Sequence, residues 1–284
     1  MNRRLPELLA APGDRPEAVH QAMHYALTGP GKRIRPVLAL VVADLFGARS
    51  SRSDPVLDLA CAVEMVHACS LILDDLPSMD NASLRRGRPT VHLQFGENVA
   101  LLASLALLNR AYALVAESAQ RLSLRRYTAE DMVHHLAAAI GSNGLIGGQA
   151  LDLLAKAEDL DLDLLEYIHS HKTGALFMAA GELGAMAADA KRRDLEVVAR
   201  FAKNLGLAFQ ISDDLLDVLG TPEETGKDVG QDAGKVTFVK LLGVEGAQAL
   251  ESELLGFAEE SLAPLGRKGE PLRELARFVG KRSR

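Results

Sequence analysis

The chain has 284 residues, a formal net charge of −6 at pH 7, 48% hydrophobic residues and 25% charged ones. That balance describes an ordinary globular chain with enough apolar material for a sizeable core, and it excludes a disordered or fibrous one. The acidic excess argues against a nucleic-acid partner, which asks for a basic surface, so any phosphate chemistry needs local basic clusters. The only cysteines, Cys61 and Cys69, share one helical-looking segment. At about 1.5 Å per residue they stand roughly 12 Å apart, too far for a disulfide, and read as reduced packing residues of a cytoplasmic protein. Pro6 and Glu7 interrupt the N-terminal apolar patch too early for a signal-peptide core. The apolar run "VLALVVADLF" is far shorter than the roughly 20 residues of a membrane span, so no transmembrane segment is expected.

Apolar residues recur at three- and four-residue spacing through most of the chain, with Ala and Leu dominant and little period-two alternation. The pattern predicts helices over 15–28, 34–47, 55–76, 91–118, 128–155, 161–188, 194–219, 236–262 and 270–281. Breaks fall at "TGPGKRIRP", "PSMDNASLRRGRPT" and "GTPEETGKDVGQDAGK", all rich in turn formers and charge. No Ser- or Pro-rich linker divides the chain, so a single all-α domain over 1–284 is expected.

The first break contains Lys32, Arg33 and Arg35 in "GPGKRIRP". The third predicted helix then runs into "HACSLILDDLPSMD", where Glu64, His67 and Asp74 approximate a polar stripe and Asp75 follows. Pro77 ends the regular turns, and Asp80 returns from a loop that continues into Arg85, Arg86 and Arg88. Much later, "FQISDDLLD" places Gln210, Asp213, Asp214 and Asp217 at i, i+3, i+4 and i+7, one helix face among apolar neighbours. Carboxylates on a buried helix must be solvated by a cavity, paired with cations or bound to metal. Mg²⁺ prefers one or two carboxylates plus water and phosphate oxygens, which suits aspartates on two facing helices. Both clusters come late in their helices, where the macrodipole repels anions, so metal rather than helix ends must hold a diphosphate. "HSHKTG" offers His171, Lys172 and Thr173, and Lys227 and Lys235 follow later, the lysines adding point charges suited to phosphate. "GQDAGKVT" lacks the spacing and preceding strand of a phosphate-binding loop, and "GSNGLIGGQALD" reads as close helix packing or a kink. His134 and His135 are adjacent, cannot share a helix face, and receive no chemistry.

Taken together, "GKRIRP", "DDLPSMDNASLRRGRPT", "GGQALDL", "HKTG", "FQISDDLLD" and "GKDVGQDAGK" resemble, in order, the motifs of the trans-isoprenyl diphosphate synthases, the family of farnesyl and geranylgeranyl diphosphate synthases, with a pattern nearest the bacterial geranylgeranyl enzymes. The resemblance covers nearly the whole chain and implies an all-α bundle around a deep central cavity, usually a homodimer, using Mg²⁺. It implies Asp74 and Asp80 as metal ligands with Asp75 in support, and Asp213 holding a further ion assisted by Asp214 and Asp217. Arg85, Lys172 and Lys227 would hold an allylic diphosphate; Lys32, Arg35, His67 and Arg86 would hold isopentenyl diphosphate. Thr173 and Gln210 would face the developing allylic cation. Pro30, where relatives often pair glycines, and Asn81, where they often carry Asp, depart from the pattern.

A chain growing down the first aspartate helix would meet Cys69 and Ser70, one turn below Asp74. Relatives that stop at fifteen carbons often carry a ring at the position of Cys69. Its small side chain therefore favours geranylgeranyl over farnesyl diphosphate, since one helical turn adds about 5.4 Å of depth. A terpene cyclase, a squalene-type synthase and a non-catalytic regulatory subunit are the competing readings. Intact "GKRIRP", the Arg85–Arg86 pair and two complete aspartate clusters count against them.

Overall fold

A computed structural model describes residues 1–48, 54–155, 161–219 and 237–281. The described chain is almost entirely helical, as the periodicity predicts. A short helix α1 (Arg4–Glu7) is followed by α2 (Glu17–Thr28), α3 (Ile34–Leu45) and α4 (Pro55–Asp74). A two-residue hairpin, β1 (Leu84–Arg85) and β2 (Arg88–Pro89), separates these from α5 (Val91–Phe95), α6 (Glu97–Arg121), α7 (Ala129–Ile140) and α8 (Leu145–Leu154). The chain ends in α9 (Leu162–His169), α10 (Ala175–Ala187), α11 (Arg192–Leu219), α12 (Phe238–Ser261) and α13 (Glu270–Gly280).

Three of the predicted long helices are interrupted: 91–118 at Gly96, 128–155 over 141–144, and 236–262 at Gly243, whose backbone is not helical. The apolar period continues on both sides of each break, which is why periodicity alone merges them. Capping chemistry marks other ends. Asp54 accepts from the Val56 N–H with Pro55 opening α4, and Thr128 and Asp131 form a reciprocal capping box at the start of α7.

α4 runs through the middle of the molecule. It packs along α6, with α3 and α10 also against it, and its apolar residues join those of α2, α3, α6, α7 and α10 in one large core. A second cluster gathers Leu207, Ile211 and Leu215 of α11 with Phe238 and Val239 of α12 and Leu165 of α9. The apolar side of the second aspartate segment is therefore buried, as its pattern requires. Both α4 and α6 are long and apolar enough to cross a bilayer by length and composition, in contrast to the short run "VLALVVADLF". Most of α4's apolar window is buried inside the protein, whereas α6 keeps Leu101, Leu102 and Leu105 exposed.

α4 and α6 are antiparallel neighbours, fastened at one end by Asp58. Its buried carboxylate accepts from Arg4 Nε at 2.7 Å, Arg4 Nη2 at 3.0 Å and Arg121 Nη1 at 2.8 Å. Burial pushes the Asp58 carboxyl up, but the hydrogen bonds from Arg4 and Arg121 outweigh it and hold the group below its ordinary range. A folded-state pKa below the unfolded one stabilises at neutral pH, and that contribution is lost as pH falls through the folded value. Asp58→Asn is expected to cost about 1–3 kcal/mol at neutral pH. The gap in Tm between variant and wild type should narrow on acidification, and thermal melts at descending pH check this; a gap independent of pH would assign the loss to packing alone.

Candidate active site

The last turn of α4 and the loop after it bring the first acidic group together. Leu76 O accepts from the N–H groups of Met79 and Asn81, and the Asp80 N–H donates to Asp74 O at 2.9 Å. Asp80 is thereby folded back beside Asp74, as Pro77 suggested. Asp74 and Asp80 are half-buried, whereas Asp75 is buried and accepts from Arg85 Nε at 3.0 Å. Burial opposes the Arg85 charge, yet the hydrogen bond and field of Asp75, with Asp74 and Asp80 close by, keep its pKa above the ordinary value.

The second acidic group divides in the same way. Asp213 and Asp217 are half-buried on α11, while Asp214 is buried. Asp214 Oδ1 accepts from Gln210 Nε2 at 2.9 Å, and Oδ2 accepts from the Phe238 N–H at 3.0 Å. Gln210 Oε1 in turn accepts from Thr173 Oγ1 at 3.0 Å. Thr173 belongs to a π-helical turn, Ser170–Gly174, between α9 and α10, a rare local geometry that often marks function. Lys172, in the same turn, lies against Asp152 of α8, with Nζ 2.6 Å from Oδ2. That approach requires Gly148, where a Cβ would stand 2.2 Å from Lys172 N. The Gly-rich "GGQALD" stretch is thus a packing motif, as its lack of a strand implied, and it also delivers a partner for Lys172 that the sequence reading had not singled out.

Three basic residues of "GKRIRP" have separate fates. Arg33 is structural: it pairs with buried Glu64 and donates to Leu27 O at 2.7 Å and Gly29 O at 2.8 Å. Glu64, expected on a polar stripe with His67 and Asp74, is thus committed to the scaffold. Lys32 is exposed just before α3. Arg35 turns inward, its guanidinium 4.5 Å from the centre of the Phe177 ring and Nη1 3.5 Å from His67 Nε2. Its Nε is buried with no hydrogen-bond partner in the protein. Burial lowers its pKa to about 10, against the supporting fields of Glu64 and Asp213. Burial and then the charges of Arg35, Arg86, Arg85 and Arg33 drive the His67 pKa well below its usual range, so His67 is neutral at pH 7.

Arg86 and Gly87 form the hairpin turn with φ of 56° and 74°, the left-handed pair of a two-residue hairpin. The hairpin is pinned to α2: Arg88 stacks 3.7 Å over the Tyr25 ring, and Tyr25 Oη donates to Pro89 O at 2.8 Å. Arg86 then lies over Gly31, where a Cβ would meet its Nη1 at 2.5 Å. A side chain at Gly31 would therefore have to push the Arg86 guanidinium aside. A solvent-open cleft of about 520 Å³ runs along this side of α4, lined by Tyr25, Pro30, His67, Asp75, Arg85 and Arg86 among others.

The two sides of the site sense one another. Asp213 of α11 acts electrostatically on both Arg35 and Arg86, and Asp74 and Asp80 act on Arg85. Among the described residues no three acidic, His or Cys side chains converge on a single point. Half-buried carboxylates supplied one or two at a time are nevertheless the donor set Mg²⁺ takes when phosphate and water complete its octahedron, so the residues fit that ion. Lys227 and Lys235 lie outside the described residues. Of the two chain-length positions, Cys69 is buried and Ser70 donates to His67 O at 2.9 Å. Two further groups besides Asp152 carry no sequence signal. Gln149, beside Gly148, has both amide atoms buried without a partner. Tyr112 of α6 stands close enough to Cys69 for the thiol to add to the burial that raises its pKa.

Known proteins resemble this chain in sequence and in fold. Geranylgeranyl pyrophosphate synthase 7 of Arabidopsis thaliana is 43% identical over 273 residues, covering 94% of this chain and 77% of that protein. The crystal structure of an FPP/GFPP synthase from Zymomonas mobilis superposes with a TM-score of 0.85 at 35% identity, covering 98% of this chain and 94% of that one. A geranyltransferase from Helicobacter pylori, solved with magnesium and isoprenyl diphosphate, gives 0.85 at 31% identity over 98% and 92% of the two chains. The family model for polyprenyl synthetase matches residues 16–262, and the chain belongs to that family.

Proposed function

We propose that this protein is a prenyltransferase that condenses isopentenyl diphosphate with an allylic diphosphate, head to tail, to make geranylgeranyl diphosphate. The observation that carries this reading is the division of labour around the cleft. In each Asp-Asp pair one carboxylate is hydrogen-bonded into the scaffold and the other is half-buried, within electrostatic reach of Arg35, Arg85 or Arg86.

In this reading Asp74 and Asp80, together with Asp213 and Asp217, hold Mg²⁺, while Asp75 and Asp214 support them from behind. Bound there, Mg²⁺ would neutralise charge growing on the departing diphosphate. Lys172, released from Asp152, and Arg85 contact the allylic diphosphate, with Lys227 as a third cation. Lys32, Arg35, His67 and Arg86 receive isopentenyl diphosphate. The unfilled Nε of Arg35 offers a donor to a phosphate oxygen, and neutral His67 can donate without adding charge. Ionisation breaks the allylic C–O bond, and the electron pair leaves with diphosphate. Oxygens of Thr173 and Gln210 offset the allylic cation, the isopentenyl double bond attacks it, and the proton lost from the new chain goes to diphosphate. No protein nucleophile enters. Asp213→Ala is expected to lower kcat at least about a hundredfold, with the half-saturating Mg²⁺ concentration raised. Steady-state assays with purified protein check this, and an unaffected Mg²⁺ response would remove Asp213 from the ligand set.

Product length follows from the pairing of α4 with α6. Taking Arg121 and Asp58 as the common end, Tyr112 lies about 14 Å along α6 and Cys69 about 17 Å along α4. The ring missing at Cys69 is therefore supplied across the helix pair, one level below Asp74. Tyr112→Ala is expected to shift the dominant product beyond twenty carbons, and Cys69→Phe to shift it to fifteen, both read by mass spectrometry of the extracted prenyl chains. A twenty-carbon product from both variants would locate the floor elsewhere.

The partner in this reading is a second copy of the chain. Leu101, Leu102 and Leu105 form an exposed apolar stripe on the outer face of α6, and a two-fold pairing covers the same face on both copies. Replacing Leu102 and Leu105 with Glu should convert dimer to monomer in light scattering; a dimer that persists would move the interface off α6. Cys61 and Cys69 are both free and buried, which suits the reducing cytoplasm.

A further inference from the structure

Three hydrogen bonds, converging on the Asp214 carboxylate, connect the π-helical turn to the start of α12. Thr173 Oγ1 donates to Gln210 Oε1 at 3.0 Å, Gln210 Nε2 donates to Asp214 Oδ1 at 2.9 Å, and the Phe238 N–H donates to Asp214 Oδ2 at 3.0 Å. The last contact sets the direction of the others. Phe238 is the first residue of α12, so its N–H is an unshared helix-terminal donor and the carboxylate lies where the helix dipole favours an anion. An ionised carboxylate only accepts hydrogen bonds. The Gln210 group that meets it must therefore be the amide NH₂, and the amide oxygen must be the atom presented to Thr173. Thr173 satisfies that oxygen with its proton and keeps its own lone pairs.

We infer that Asp214, buried at the foot of this chain, is a positioning residue that fixes the orientation of the Gln210 amide, so that Gln210 and Thr173 offer oxygen rather than N–H to positive charge formed beside them. This inference rests on the prenyl-transfer reading above. It assigns Asp214 a task distinct from that of its neighbour Asp213, although the two are adjacent carboxylates in one motif.

The Asp214→Asn variant separates polarity from shape. The Phe238 N–H can be met only by the new side chain's oxygen, which turns its NH₂ toward Gln210. Gln210 must then flip, placing its own NH₂ against Thr173 and reversing the dipoles along the chain. The expected result is a fall in kcat of about tenfold to a hundredfold with KM for both diphosphates and half-saturating Mg²⁺ unchanged. Adding Gln210→Glu to Asp214→Asn makes the middle group an acceptor at both ends, so that the introduced asparagine amide donates to it and Thr173 is again a donor with its lone pairs free, and is expected to recover most of the lost kcat. A loss that disappears when Mg²⁺ is raised would make Asp214 a metal ligand and overturn the inference, as would a double variant no better than Asp214→Asn alone. If Asp214→Asn does not fold by circular dichroism, the chain is tested from its other end. Thr173→Val and Gln210→Ala should then be strongly non-additive in kcat, and additivity overturns the inference. Wild-type protein without prenyl transfer in the same assay removes the functional reading and this inference together; an active wild type with an unimpaired Asp214→Asn variant removes only the inference.

Discussion

Arg35 carries a positive charge into a place with little to receive it, and the architecture is arranged around that fact. Its guanidinium rests on the Phe177 ring of α10, with Phe209 of α11 farther off, His67 of α4 beside it and Arg86 of the hairpin within its field. Five segments thus meet at one cation. Burying a charge without a full complement of partners is costly, and here the ring face and the distant carboxylates of Glu64 and Asp213 offset only part of the cost, as its lowered pKa records. A site kept in that condition is pre-organised for an anion, because the electrostatic work of desolvating the cation has been done during folding.

The acidic half of the site answers with the opposite arrangement. Two aspartates adjacent in sequence sit about 100° apart on a helix, so one member of each pair can enter the scaffold while the other stays half-buried. Asp75 binds Arg85 and thereby fixes the hairpin that displays Arg86; Asp214 binds Gln210 and the head of α12. A buried carboxylate in each pair builds the frame in which its half-buried neighbour works. Replacing either kind would damage the enzyme for different physical reasons.

Much of this was legible beforehand. Helices were readable because Ala- and Leu-rich segments repeat at the helical period, and the aspartate face of α11 because i, i+3, i+4 and i+7 need no tertiary information. Asp80 could be expected beside Asp74 because Pro77 must end the helix. What escaped notice depends on contacts between segments. Nothing in "GKRIRP" distinguishes Arg33, which reaches Glu64, from Arg35, which reaches Phe177; the left-handed backbone at Arg33 decides it. The hairpin is too short for an alternation signal. Asp152 and Tyr112 acquire meaning only from Lys172 and Cys69 on neighbouring helices. The helix divisions at Gly96 and over 141–144 were hidden because the apolar stripe continues across them.

The loop between Asp74 and Asp80 is closed by main-chain bonds, with Asp80 N on Asp74 O and both Met79 N and Asn81 N on Leu76 O. Main-chain bonds are indifferent to side chains but count residues. Ser78 and Met79 are exposed, and changing their identity would have little effect on the loop's shape. Inserting or deleting one residue would break the register and swing Asp80 away from Asp74, however well the new sequence suited a turn. The loop is therefore a ruler, tolerant of spelling and intolerant of length.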